Sequence, residues 1–202
     1  SEYYMYSEED IKKRKERIFE AAVQCFNESG YDNASMESIA QCAGISKGGL
    51  YHYFPSKKEL FLELFDYKVH NYFDQMKSFL IAGQAPEEKL RILVAKAGEI
   101  LKQHEDFYRF CLEFLSMGVR DHEIKAVMTR FYKNSIDTFK EIIEEGIARG
   151  FFLPVDPVKV ARSLYLSVMG AFFTFFSVDV DFDLADQHVF DLDKIILSIK
   201  KV

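Results

Sequence analysis

The chain has 202 residues, enough for one or two compact units with a sizeable core. Apolar residues make up 49% and charged residues 29%, with 10 Gly and 4 Pro, which excludes a disordered or collagen-like chain. A net charge of −6 sets the whole molecule against a polyanion, so a nucleic-acid role must rest on where the charge sits.

Helical period runs from end to end, with breakers at helix-length intervals and no strand alternation bounded by hairpin signals. Ser7 followed by Glu8, Glu9 and Asp10 reads as an N-cap with an acidic first turn. Behind it Ile11, Ile18, Ala22 and Phe26 form an apolar stripe opposite a Lys/Arg cluster, and Gly30 stops the helix. Ser35 caps a short helix over 36–42 that Ala43-Gly44 ends; Ser46 caps another from 47 to about 53, before Pro55. Ser56-Lys57-Lys58-Glu59 is an S-x-x-E capping box and opens a long helix to about residue 80. After a break at 82–86, helices are predicted over 87–103, 106–117, 121–149, 157–178 and 188–201, bounded by Gly118, Gly150, the Asp156-Pro157 pair and the acidic stretch 179–186. The predicted fold class is all-α with nine helices.

The informative segment is 35–60. Ile39, Ala40 and Leu50 are spaced to pack one short helix across the other, and Gly44 permits the tight corner between them, which is a helix-turn-helix. Gly48-Gly49 weakens the second helix by roughly 1 kcal/mol per glycine against Ala, and a closely approached surface is a reason to tolerate that. Lys47, Tyr51, His52, Tyr53 and Lys57 offer donors suited to phosphates, and the helix starts at Ser35 and Ser56 offer backbone N–H groups. Residues 11–58 hold eight Lys/Arg against five acids, a basic head on an acidic body. The bland alternative is a structural helix pair, with the aromatic run Tyr51–Phe54 as core.

Residues 15–61 resemble the N-terminal domain of TetR/AcrR-family transcriptional regulators. The resemblance is carried by Ile18-Phe19-Glu20-Ala21-Ala22, Phe26, Gly30-Tyr31, Ser35-Met36-Glu37-Ser38-Ile39-Ala40, the run from Ala43 to Phe54, and Ser56-Lys57-Lys58-Glu59-Leu60. It implies a TetR-like architecture: a three-helix DNA-binding head over 1–56, a linker helix over 57–80, and a ligand-binding and dimerisation domain over 81–202. By position it implies that Lys47, Gly48 and Gly49 lie nearest the bases, and that Ser35, Tyr51, His52, Tyr53 and Lys57 lie on the phosphates. Ser35 stands where Thr is commoner, and Gly49 where a small or hydroxylic residue is usual, which removes one base contact. The cluster Lys12–Arg17 is either a contact to flanking DNA backbone or a solvated face.

The whole chain has 20 Phe and 11 Tyr with no Trp, and in the body aromatics recur at helical spacing through Phe107, Phe110, Phe114, Phe131, Tyr132 and Phe139. That excess points to an apolar cavity for a small lipophilic effector, a fatty acyl compound or hydrophobic drug; the alternative is solid core. Candidate ligand contacts are Phe110, Phe114, Phe139, Tyr165 and Met169, with Arg109 for a charged headgroup. The eighth helix carries two apolar stripes and must bury both. One is therefore expected against a partner chain, through Leu164, Val168, Ala171 and Phe175, joined by Leu192, Ile196 and Ile199 of the ninth helix. The resemblance implies a four-helix bundle in a homodimer.

The three cysteines (Cys25, Cys42, Cys111) are scattered and form no C-x-x-C pair, and the histidines show no metal spacing, so no metal or other cofactor is expected. The longest uncharged apolar run, Leu164 to Val178, is shorter than the roughly 20 residues of a membrane span, and no leader pattern opens the chain. A cytoplasmic protein with no membrane partner is expected. No grouping of nucleophile, base and acid argues for an enzyme, and a lipophilic carrier would leave the 35–60 motif without purpose. The expected function is a homodimeric repressor that binds a palindromic double-stranded operator and is released by its effector.

Overall fold

A computed structural model describes residues 7–201. The described residues form nine α-helices: α1 (Glu8–Asn33), α2 (Met36–Ala43), α3 (Lys47–Tyr53), α4 (Lys57–Ser78), α5 (Pro86–Gln103), α6 (Glu105–Gly118), α7 (His122–Ala148), α8 (Pro157–Ser177) and α9 (Leu184–Ile199). Among these residues there is no strand, only an isolated antiparallel bridge between Phe152 and Lys200. The all-α expectation holds. Residues 1–6 of the predicted head lie outside the described residues.

The helix ends follow from their capping chemistry. Ser7 and Asp10 cap α1 reciprocally, the Asp10 N–H donating to Ser7 Oγ at 3.1 Å and the Ser7 N–H to Asp10 Oδ2 at 3.2 Å. Gly30 leaves helical conformation at φ 76°, so the predicted stop is a kink, and a further turn runs on to Asn33. α9 starts four residues before the expected boundary. Asp183 Oδ1 accepts from the N–H groups of Ala185 and Asp186, so acidic residues that read as a loop are a cap and a first turn.

The chain divides into two compact units, and the division falls inside α4 rather than at its start. The first unit runs through Lys68 and also takes Asp106–Ile124, so α6 packs with α1 and the first half of α4. Its core is aromatic. Phe26, Phe61, Phe65, Phe110 and Phe114 are all at most 2% exposed. Phe114 stacks on Phe65 at 3.9 Å and on Phe61 at 4.7 Å, while Phe26 and Phe110 meet Phe61 edge-on at 5.2 and 4.9 Å. Each such pair adds about 0.5–1.5 kcal/mol beyond its buried area.

The second unit holds the rest of α4, α5, most of α7, α8 and α9. Leu90, Leu93, Val94, Ile143, Ala161, Leu164, Leu192, Ile196 and Ile199 form its core. Arg91 pairs with Asp193 at 2.6 Å and Lys200 with Glu87 at 2.8 Å, tying α5 to α9 and its end. Gly146 is required by packing: a Cβ there would lie 2.1 Å from the Phe152 ring.

This burial corrects the expected partner-facing stripe. Leu164, Leu192, Ile196 and Ile199 are each at most 2% exposed within their own unit and have no surface to offer; Val168 and Ala171 are half-buried, and Phe175 is exposed. The apolar residues that α8 and α9 leave uncovered are Leu166, Phe173, Phe175 and Val178, and Val189, Phe190 and Leu197. By length and composition alone α8 could cross a membrane.

Candidate nucleic-acid interface

α2 and α3 are held by one face each. Met36, Ile39, Ala40 and Ala43 of α2 are buried, and of α3 only Leu50 is. Between them Gly44 sits at φ 67°, ψ 36°, where its N–H reaches the carbonyls of Ala40 and Gln41, a left-handed C-cap. At the start of α2, Ser35 Oγ accepts from the Ser38 N–H at 3.0 Å; at the start of α3, Ser46 Oγ accepts from the Gly49 N–H at 3.1 Å. The Arg17 guanidinium donates to the Ala43 carbonyl at 3.0 Å, so one member of the basic cluster caps α2 from α1. The others are partly paired, Lys13 with Glu9 at 2.7 Å and Lys15 with Glu63 at 2.5 Å.

With Leu50 inward, the opposite face of α3 is open. Lys47, Gly48, Tyr51 and His52 are exposed, Gly49 and Tyr53 half-buried, and Ser35 is exposed at the head of α2. Lys47 is joined only to Glu37, at 3.2 Å and with both side chains in solvent, a pair worth about 0–1 kcal/mol that a phosphate or base edge can displace. The two glycines differ. A Cβ at Gly49 would meet Ser46 Oγ at 3.1 Å, whereas a Cβ at Gly48 would meet nothing within 4 Å. Among the described residues nothing asks for glycine at 48.

Lys57 is placed otherwise than the phosphate expectation. Its ammonium donates to the carbonyls of Tyr31 (2.5 Å), Asp32 (3.1 Å) and Ala34 (2.9 Å), and lies 4.4 Å from the Tyr31 ring centroid. All three of its protons are thereby used to close the C-terminal end of α1. Replacing Lys57 with Met is expected to cost about 1.5–3 kcal/mol of stability in denaturant unfolding. DNA affinity should fall for every sequence with the salt slope unchanged; a slope shallower by about 1 would return Lys57 to the phosphates.

Glu113 and Lys58 are contributions to the head that sequence reasoning missed. Glu113 Oε1 accepts from the Tyr31 N–H at 2.5 Å, holding α6 to the kinked end of α1. Lys58 bridges Asp121 at 2.8 Å and Glu123 at 3.2 Å; the hydrogen bond from Lys58 lowers the Asp121 pKa, and that to Asp121 raises the Lys58 pKa. Neither pairing has a local sequence signal, because the partners are more than 60 residues apart.

The predicted effector residues divide between the units. Phe110 and Phe114 are in the aromatic core of the first, and Arg109 is exposed on the same helix. Phe139, Tyr165 and Met169 are half-buried in the second. There Tyr165 meets Tyr132 edge-on at 5.1 Å, and the Tyr132 hydroxyl accepts from Arg162 at 3.2 Å.

A cap-bounded helix pair with an outward glycine and lysine at the start of its second member has the arrangement of a helix-turn-helix. A family model described as bacterial regulatory proteins, tetR family, matches residues 18–64, and one described as tetracyclin repressor-like, C-terminal domain, matches residues 83–201. The chain belongs to the TetR family and is a DNA-binding transcriptional regulator, not an enzyme. It is 25% identical over 148 residues to the fatty acid metabolism regulator protein of Bacillus subtilis, covering 73% of this chain and 75% of that protein. Two solved structures share the fold. One is the regulator FadR of Bacillus subtilis in complex with stearoyl-CoA, with TM-score 0.78 and 22% identity over 90% of this chain and 97% of that one. The other is a TetR regulator from Haloarcula marismortui, with TM-score 0.83 and 20% identity over 94% and 100%.

Proposed function

We propose that this chain is a homodimeric repressor of a palindromic operator, released by a lipophilic effector of the fatty acyl class. The observation that carries the DNA reading is Gly48, a helix-weakening residue on the open face of α3 with no steric reason among the described residues. An external surface that approaches the backbone supplies the reason. Lys47, Gly48 and Gly49 then face base edges, with Ser35, Tyr51, His52 and Tyr53 toward phosphates. Gly48→Ala is expected to raise stability by up to about 1 kcal/mol. The same change should lower operator affinity about tenfold, roughly 1.4 kcal/mol of contact. Gains in both would remove the argument.

The effector class is supported by a Bacillus subtilis relative named for fatty acid metabolism and by a Bacillus subtilis regulator of the same fold solved with stearoyl-CoA. Within this chain the residues offered to it are Phe139, Tyr165 and Met169, with Tyr132 and Arg162 near Tyr165 as polar partners. Burial raises the Tyr165 pKa and pushes Tyr72 up to about 12, so both phenols remain neutral hydrogen-bond donors at physiological pH. The test is selection of genomic fragments on the purified chain, followed by titration of the selected duplex with stearoyl-CoA, free stearate and a hydrophobic cationic drug. Binding should weaken steeply with salt. Release by the acyl compounds alone supports the reading; release by the drug alone, or by none, overturns the acyl assignment.

A further inference from the structure

Glu37 is the only acid between Asp32 and Glu59, the segment that carries both short helices. Its neighbours on α2 are committed elsewhere. Met36 is buried, and Ser38 closes the cap, its Oγ accepting from the Ser35 N–H at 3.1 Å. Glu37 is left outside the core with its side chain 74% exposed, and there its Oε2 accepts from Lys47 Nζ at 3.2 Å. The contact joins α2 to the first residue of α3 across the open face of the pair. A solvated pair of this kind adds little stability, and a carboxylate on a surface that meets DNA repels phosphate. A carboxylate accepts hydrogen bonds and donates none. The donors that a duplex offers it in the major groove are the amino groups of cytosine N4 and adenine N6.

We propose that Glu37 and Lys47 read one G·C base pair together, Glu37 accepting from the cytosine N4 amino group and Lys47 donating to guanine O6 and N7. Glu37 is then a specificity-determining residue of the head. The two surfaces are complementary in spacing and in order. Guanine O6 and cytosine N4 of one pair are hydrogen-bonded to each other, so an acceptor and a donor lie about 3 Å apart on the groove edge. Lys47 Nζ and Glu37 Oε2 present a donor and an acceptor at 3.2 Å. Docking sets the two edges against each other, and both charges keep a partner throughout. A pair in the reverse orientation would set the amino group against the ammonium and the carbonyl against the carboxylate, so the wrong strand is repelled as well as unrewarded. An A·T pair has the same order of groups, adenine N6 and thymine O4. Thymine, however, gives the ammonium one acceptor beside a methyl group, where guanine gives two.

The inference deepens the DNA-binding reading above and rests on it, and its test separates the two. Random duplexes are selected on the full chain and on E37A, E37Q, K47A and the E37A/K47A double variant. Affinities are then measured on duplexes changed at one base pair at a time. E37A should lower the preference for G·C at one position of the site by about tenfold to a hundredfold and leave the other positions unchanged. K47A should relax the same position, and the double variant should relax it no further than the larger single effect. E37Q keeps a carbonyl acceptor and should retain part of the preference. A preference for A·T at the shared position would overturn the assignment. So would E37A and K47A relaxing different positions, or E37A tightening every duplex alike, the result for a carboxylate that only repels phosphate. An unsubstituted chain that binds no duplex would instead overturn the DNA reading itself and take this inference with it.

Discussion

Replacing Phe173 and Leu197 together with glutamate is expected to leave a folded, monomeric chain that has lost operator affinity by a factor of about 100 or more. Phe173 is 56% exposed and Leu197 69% exposed, so neither charge enters the core of the second unit. Several large apolar residues left uncovered on two packed helices point to an interaction site. Leu166 and Phe173 are seven residues apart on α8, and Phe190 and Leu197 seven apart on α9, the repeat of helices that pair lengthwise. On the proposed homodimer reading, a single head reads one half-site and joining two heads converts the second contact into an intramolecular one. Without the joint that gain is lost. Sedimentation velocity at micromolar concentration gives the oligomeric state, and circular dichroism shows whether the helices persist. A double variant that stays dimeric would move the interface off this face. The control is Leu192→Ala, which removes a buried residue and should cost about 2–5 kcal/mol of stability while leaving the uncovered face intact.

What was legible in the sequence was local. The Ser7, Ser35, Ser46 and Asp156 caps, the Gly44 corner and the Pro157 start each depend on a few adjacent residues, and α1, α2, α3 and α8 begin where their caps dictate. What was not legible depended on partners distant in the chain. Lys57 has the right chemistry for a phosphate, and only the position of the α1 carbonyls shows that its three protons are engaged elsewhere. The stripe on α8 failed for a related reason: a helix apolar on two faces does not say which face turns inward. Leu164 and Phe173 are both apolar, yet one is 2% and the other 56% exposed. Asp183 was misread because an acidic run suits both a solvated loop and a helix start.

Phe114→Ala is expected to destabilise the chain by about 3–5 kcal/mol, a large part of the roughly 5–15 kcal/mol that holds a domain folded. The Phe114 ring is fully buried and stacked against Phe65 and Phe61, with Phe110 a further neighbour at 6.0 Å. These rings come from α4 and α6, far apart in the sequence, and Phe26 of α1 joins them through Phe61 and Phe110. Truncation therefore removes dispersion contacts with two helices at once and leaves a cavity among rings that cannot collapse without breaking their own stacking. A pocket-lining phenylalanine behaves differently. Its removal enlarges a space already present, costs little stability, and changes effector affinity directly. The two roles separate in one variant measured twice. Urea unfolding should show a large fall in midpoint with an unchanged m-value, the mark of lost packing rather than an altered unfolded state. Acyl-compound binding, measured well below the unfolding transition, should be unaffected. The reverse pattern, stability held and effector affinity lost, would assign Phe114 to the effector and leave the head with a smaller core than its burial indicates.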